Sequence, residues 1–254
     1  MSARRRVAVP LALAVAAAGA LAAAPDPERI VRDYFKACDR RNADAAAALV
    51  SADAAFGNLG DDKPAARGRD AVRAALSERW KDHPEARVKL VDAIAVGSYV
   101  AALEARTLEP GEPPKRILTL FSIGDGAIRR IWDLPAESDE PGGLTGEGTA
   151  GLAVEKWNDR DLPRLIALYE ETAAIYELPL PDPVASGEDA LRERFEKTWE
   201  AGGGARLEVT RRLAAGPWVI YLTRGVLDPD GKPAETLAIY QIRDGRIRRL
   251  WLAR

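Results

Sequence analysis

The chain spells one ten-residue phrase twice. Residues 123–132 read IGDGAIRRIW and residues 242–251 read IRDGRIRRLW. Gly126 and Gly245 stand 119 residues apart, and at that offset, without a gap, seven of the fourteen positions in 119–132 and 238–251 are identical. The same offset lays ARGRDAVRAALSERW (66–80) on ASGEDALRERFEKTW (185–199), matching Gly68 with Gly187, Asp70 with Asp189, Arg73 with Arg192 and Trp80 with Trp199. Arg87/Arg206, Gly97/Gly216, Pro110/Pro229 and Pro114/Pro233 coincide between these windows. A constant offset of this length is the size of a small domain, not of a solenoid repeat. The chain is therefore a tandem duplication.

The boundaries follow from composition. PAESDEPGGLTGEGTAG (135–151) is acidic and rich in Pro and Gly, as linkers are. It divides domain one (25–135) from domain two (151–254), with residues 136–150 as the linker. The N-terminus is of a third kind. A basic MSARRR precedes an uncharged, Ala-rich stretch at 7–24, and Ala20-Leu21-Ala22 fits a small-residue cleavage rule with the cut after Ala22. Residues 1–22 are thus expected to be a signal peptide directing export to a bacterial-type periplasm or the extracellular space. The Arg run also hints at twin-arginine export. The alternative, an uncleaved anchor helix, is disfavoured because Ala is weakly membrane-seeking and the stretch only reaches the lower limit of a span. No stable membrane anchor is expected after cleavage.

Each copy changes periodicity part-way. In copy one, Asp26-Pro27 opens a helix, and Ile30, Val31, Tyr34, Ala37 and Cys38 recur at helical spacing. RRNADAAAALV reads as a turn and a short second helix, and DAAFGNL as a strand. Asp70 and Asp189 belong in the first turn of a third helix, where a carboxylate meets the positive end of the dipole. Val72, Leu76 and Trp80, with Leu191, Phe195 and Trp199, mark its buried face. The period then becomes two, predicting strands at 86–96, 99–108, 115–124 and 127–133, and at 205–215, 218–227, 234–243 and 246–252. Asp125-Gly126 and Asp244-Gly245 are hairpin turns of the kind that needs positive φ at both central residues. In the strands that follow, strict alternation puts Ile128, Arg130 and Trp132 on one face and Arg129 and Ile131 on the other, so the paired arginines are not a single cationic clamp. The expected class is α+β: two tandem cone-shaped domains, each with N-terminal helices on a curved antiparallel sheet.

Composition excludes several functions. With 37 Lys+Arg against 39 Asp+Glu there is no basic excess for nucleic acid. One histidine, His83, and one cysteine, Cys38, do not make a conventional metal site, and no disulfide within the chain is possible. No cofactor is indicated.

The order helix–helix–strand–helix–four strands, carried by YFKACDRRNADAAAALVSADAAF, GRDAVRAAL and FSIGDGAIRRIW and their copy-two partners, resembles the nuclear transport factor 2-like superfamily, including SnoaL-like polyketide cyclases and ketosteroid isomerases. The resemblance implies a conical pocket between helices and sheet. The isomerases use a helix-one tyrosine, a protonated strand acid and a carboxylate base. By position these fall on Tyr34, Thr119 and Asn58 in copy one, and on Ala153, Ala238 and Glu177 in copy two. Neither copy holds the set, so isomerase chemistry of that kind is not supported. Glu177 is the one acid/base candidate. Tyr34, Phe56, Asn58, Trp80, Thr119, Phe121, Glu177, Trp199 and Tyr240 are the expected pocket residues, suited to a small apolar ligand. Glu104 and Arg106 alternate on one strand and read as a surface ion pair, His83 as a solvated loop residue, and Cys38 as a small buried hydrophobe. Two readings follow: a binding or scaffold protein whose copies dock on each other within the chain, or an isomerase, cyclase or hydrolase using Glu177.

Overall fold

The computed structural model describes residues 26–61, 63–135, 146–201, 206–227 and 233–254. The expected signal peptide and most of the expected linker lie outside the described residues. Copy one runs α1 (Pro27–Asp39), α2 (Ala43–Ala48), β1 (Val50–Asn58), β2 (Ala66–Arg67), α3 (Arg69–Asp82), β3 (Arg87–Val96), β4 (Tyr99–Thr107), β5 (Lys115–Gly124) and β6 (Ala127–Leu134). Copy two repeats it as α4 (Gly146–Asp159), α5 (Leu162–Ile166), β7 (Tyr169–Glu177), β8 (Ala185–Ser186), α6 (Glu188–Ala201), β9 (Glu208–Ala215), β10 (Trp218–Leu227), β11 (Pro233–Arg243) and β12 (Arg246–Ala253).

Local chemistry sets the helix starts. Pro27 occupies the first turn of α1, and the Asp26 carboxylate accepts from the Glu28 N–H at 3.0 Å. At equivalent positions, Asn42 caps α2 by accepting from Ala45 N (2.9 Å) and Asp161 caps α5 by accepting from Arg164 N (3.2 Å). Val72 and Leu76, with Leu191 and Phe195, are buried, while Trp80 and Trp199 pack partly buried at the edge of the same face.

The sheets are six-stranded, ordered β2-β1-β6-β5-β4-β3 and β8-β7-β12-β11-β10-β9. The hairpins obey the turn rule: Asp125 and Gly126 have φ of 51° and 73°, and Asp244 and Gly245 have 49° and 73°. Two features depart from the sequence reading. The sheets are not wholly antiparallel, because β1 and β7 pair parallel to β6 and β12. The meander brings its last strand back beside the first running the same way. The two-residue strands β2 and β8, which pair antiparallel with β1 and β7, carry no hydrophobic period to detect.

The second departure concerns the repeated phrase. Ser122 faces Arg130 but Ile123 faces Ile128, so Arg129 is an extra residue in the ladder. Arg248 is the extra residue between Arg249 and Ile247. These β-bulges shift the alternation by one. Ile128 and Ile131 therefore share the helix-side core, as do Ile247 and Leu250. Trp132 and Trp251 take the opposite face, and the expected grouping of Ile128 with Arg130 and Trp132 does not occur.

A third core lies on the faces turned away from the helices, where the two sheets meet. It draws on the same positions of both copies: Ile94 and Leu213, Tyr99 and Trp218, Ala101 and Ile220, Leu118 and Leu237, Leu120 and Ile239. Asp92 and Arg211, also equivalent, form an ion pair of 2.7 Å. Trp218 is 1% exposed, and its indole N–H donates to Pro135 O at 2.9 Å.

Candidate functional site

Each copy has a cavity between its helices and the concave side of its sheet. In copy one the volume is about 40 Å³. Its walls are apolar and aromatic, with Tyr34 and Phe35 from α1, Phe56 from β1, Val72, Leu76 and Trp80 from α3, and Phe121 from β5. Tyr34, Phe35 and Phe121 meet edge-on with centroids 5.7–5.8 Å apart.

The rest of that lining is polar. Glu104 on β4 is 2% exposed and accepts from Arg106 Nη2 at 2.6 Å. The Thr119 hydroxyl lies 3.3 Å from Glu104 Oε1 and 3.5 Å from Asp133 Oδ1. One hydroxyl proton serves only one of these carboxylates at a time. Burial pushes the Glu104 carboxyl up, against the opposing pull of Arg106. Burial alone would lower the Arg106 guanidinium, but Glu104 and Asp133 outweigh it and hold it above its usual range. Burial raises the Tyr34 phenol well above its ordinary value, with Cys38, Asp133 and Glu104 adding to the shift. Burial also pushes the Cys38 thiol up to about 12, so it is a neutral, inert wall.

The copy-two cavity measures about 80 Å³ and is lined chiefly by apolar and aromatic side chains: Ala153, Trp157, Tyr169, Phe195, Ala238 and Tyr240 among them. Burial raises the Tyr169 and Tyr240 phenols. The charged groups of the copy-one floor have no counterpart at the equivalent positions here. At the 119-residue offset, Thr223, Gly225, Ala238 and Leu252 stand where copy one has Glu104, Arg106, Thr119 and Asp133.

Tyr34, Phe56, Trp80, Thr119 and Phe121 line the first cavity, and Tyr240 the second. Trp199 instead packs on Trp157 with centroids 5.2 Å apart, behind the cavity wall. Asn58 is the last residue of β1 and donates from Nδ2 to Asp61 Oδ2 at 3.0 Å, outside the cone. Glu177 ends β7, where Arg194 of α6 captures its carboxylate in an ion pair; Arg194 lines the cavity and Glu177 does not. The acid/base role expected of Glu177 has no geometry to support it. His83 Nδ1 lies 2.9 Å from Glu109 Oε1 at the surface.

Glu104 and Arg106 are not a surface pair, and this corrects the sequence reading. Strand alternation carries them inward together with Ala102, on the cone face of β4. Asp133 was missed, although it stands two residues beyond Ile131 and directly opposite Thr119 in the ladder. Two carboxyls, Glu104 and Asp133, thus flank the Thr119 hydroxyl. Among the described residues no group of His, Cys, Asp and Glu could hold a metal ion.

Two helix-on-sheet cones, each closed by aromatic side chains and differing in the polarity of their floors, define a tandem cone-domain protein. The SnoaL-like domain model matches residues 31–131 and 152–250, and the chain belongs to that family, with one domain in each copy. Among solved structures it is similar to a cystatin-fold protein from Novosphingobium aromaticivorans (20% identity, covering 43% of this chain and 98% of the other, TM-score 0.40). A nuclear transport factor 2-like protein from Cytophaga hutchinsonii matches at 14% identity over 44% of this chain and 92% of its own, with a TM-score of 0.36. A protein with a ketosteroid isomerase-like fold from Catenulispora acidiphila, bound to trimethylamine, matches at 18% identity over 42% and 84%, with a TM-score of 0.36. No curated protein matches the sequence.

Proposed function

We propose that this is an exported protein that binds small, mainly apolar molecules bearing a hydrogen-bond acceptor, in two cones docked as an intramolecular pseudo-dimer. The observation that carries this reading is a set of buried polar atoms without partners. Arg106 Nε in copy one, and Trp157 Nε1 and Thr236 Oγ1 in copy two, have no hydrogen-bond partner among the described residues, and all three residues line the cavities. Buried polar groups are normally satisfied, and leaving one bare costs about 1–3 kcal/mol. A ligand oxygen meets that need, and the cavity volumes favour compact molecules over multi-ring ones. The pseudo-dimer reading draws support from the use of the same positions on both sides of the sheet–sheet core. Export rests on the composition of residues 1–22.

The test is thermal stabilisation by one-ring ketones and lactones, compared with hydrocarbons of the same shape. A ligand at 100 times its Kd should add about 2.7 kcal/mol. Equal silence from both sets overturns the reading.

A second reading has its own observation. Glu104 and Asp133 share the Thr119 hydroxyl, and burial raises Glu104, which suits proton transfer beside a bound carbonyl. Exchange of ketone α-protons in deuterated water, lost in Glu104→Gln, supports it; no exchange by the parent protein sinks it.

A further inference from the structure

The largest cavity described is in neither cone. It lies between the copies, with a volume of about 510 Å³. Copy one contributes the end of β1, the chain after it and part of β6; copy two contributes the end of β7, the Pro-rich segment 178–183 and Trp251 of β12. Equivalent positions meet there, Leu59 with Leu178, Gly60 with Pro179 and Trp132 with Trp251. The cleft therefore exists only because the copies face each other.

Its walls combine aromatic faces with cations. Tyr176 and Trp251 stack at 5.4 Å with planes 17° apart. The Arg130 guanidinium lies 5.6 Å from the centre of the Trp132 ring. Arg249, the repeat counterpart of Arg130, reaches across to copy one. A Cβ at Gly60 would lie 2.5 Å from its Nη1 and 3.2 Å from Trp251 Cζ2. Arg129 is ion-paired with Asp125, but neither Arg130 nor Arg249 forms a salt bridge among the described residues. Lys63 and Arg67 add positive charge to the lining, against Asp61 and Asp182, and Asp61 is already engaged by Asn58.

We propose that this cleft is a ligand site for a planar aromatic carboxylate. The ring stacks on Tyr176 and packs against Trp132, while Trp251, 2% exposed and stacked on Tyr176, backs that wall. The carboxylate takes the forked donors of Arg130, with Arg249 at the rim. A cleft of mixed aromatic and cationic lining selects this chemistry over a neutral hydrocarbon, which leaves the guanidinium unused, and over a bare inorganic anion, which leaves the rings unused. The inference stands apart from the cone reading, since no cone-floor residue takes part.

The test uses the full chain and 2-naphthoate, followed by calorimetry and tryptophan fluorescence, with 2-naphthamide as the neutral match. Saturable binding of one naphthoate per chain is expected, with the amide at least about tenfold weaker. Arg130→Gln, at an exposed position, should weaken naphthoate at least about tenfold. Arg249→Gln should weaken it in the same direction. The cone variants Thr119→Val and Thr236→Val should leave it unchanged. No saturation at millimolar naphthoate, equal affinity for the amide, indifference to Arg130→Gln in a variant of parental circular dichroism, or loss in a cone variant would each overturn the proposal.

Discussion

The Glu104–Arg106 pair offers a quantitative test of the copy-one cone. Glu104 is 2% exposed and the Arg106 side chain 17% exposed. Unit charges about 4 Å apart at an effective dielectric of about 20 gain roughly 4 kcal/mol, and desolvation takes back a similar amount. The pair's net contribution is therefore small, but Arg106 without Glu104 loses its ion-pair partner and keeps only the weaker pull of Asp133. Glu104→Leu should cost about 3–5 kcal/mol, whereas Glu104→Leu with Arg106→Met should return close to the parent. Arg106→Met alone should behave differently, because Glu104 can take up a proton. Burial already raises this carboxyl, and without Arg106 the rise is larger. A raised carboxyl contributes stability that is full below its unfolded value and is lost as pH rises through its folded value. Arg106→Met should then lose stability with rising pH by up to about 1.4 kcal/mol per unit above the unfolded carboxylate value. Urea unfolding followed by far-UV circular dichroism from pH 5 to pH 8 measures all three variants. A cost below about 1 kcal/mol for Glu104→Leu, or additive single and double costs, would refute the buried pairing.

Other perturbations probe other parts of the molecule. Trp218→Ala empties the core between the sheets and removes a donor to Pro135, and should cost about 3–5 kcal/mol in the same unfolding assay. Gly245→Ala meets no atom within 4 Å, so its cost is the left-handed backbone alone, about 1–2 kcal/mol, with Gly245→Asn milder. Cys38, buried and with its thiol pushed up to about 12, should react with a thiol reagent only under denaturant, as followed by absorbance. In an exporting host, N-terminal sequencing of secreted protein should begin at Ala23; an intact Met1 on secreted chain contradicts the cleavage reading.

Much of the fold was legible because it is written in short-range chemistry. Asp26-Pro27, the Asp-Gly turns and the change of period each act within a few residues, and the duplication lets each copy check the other. What escaped acts across strands. The bulges at Arg129 and Arg248 are visible only in the register between neighbouring strands, and they reverse which isoleucine shares a face with which arginine. Glu104 and Arg106 read as a surface pair because an exposed and a buried ion pair have the same spelling; burial is decided by α1 and α3 closing over β4. Glu177 looked available for chemistry because sequence gave no sign that Arg194, seventeen residues on in another element, would hold it.

Divergence between the copies is sharply located. The positions facing the other copy remain apolar in both: Ile94 and Leu213, Leu118 and Leu237, Trp132 and Trp251. The cone floors do not correspond at all, since Tyr34, Cys38, Glu104, Arg106, Thr119 and Asp133 become Ala153, Trp157, Thr223, Gly225, Ala238 and Leu252. A surface packed against its own duplicate is constrained from both sides, because a change in either copy must still fit the other. A cavity wall carries no such reciprocal constraint. At the equivalents of Glu104 and Arg106 the second cone carries Thr223 and Gly225, so neither charge of the pair is left there without the other. Tandem duplication thus produces one conserved seam with two unlike cavities. The repeated Arg-Arg-x-Trp belongs to the seam: its bulge turns the tryptophan, with Arg130 and Arg249, toward the other copy.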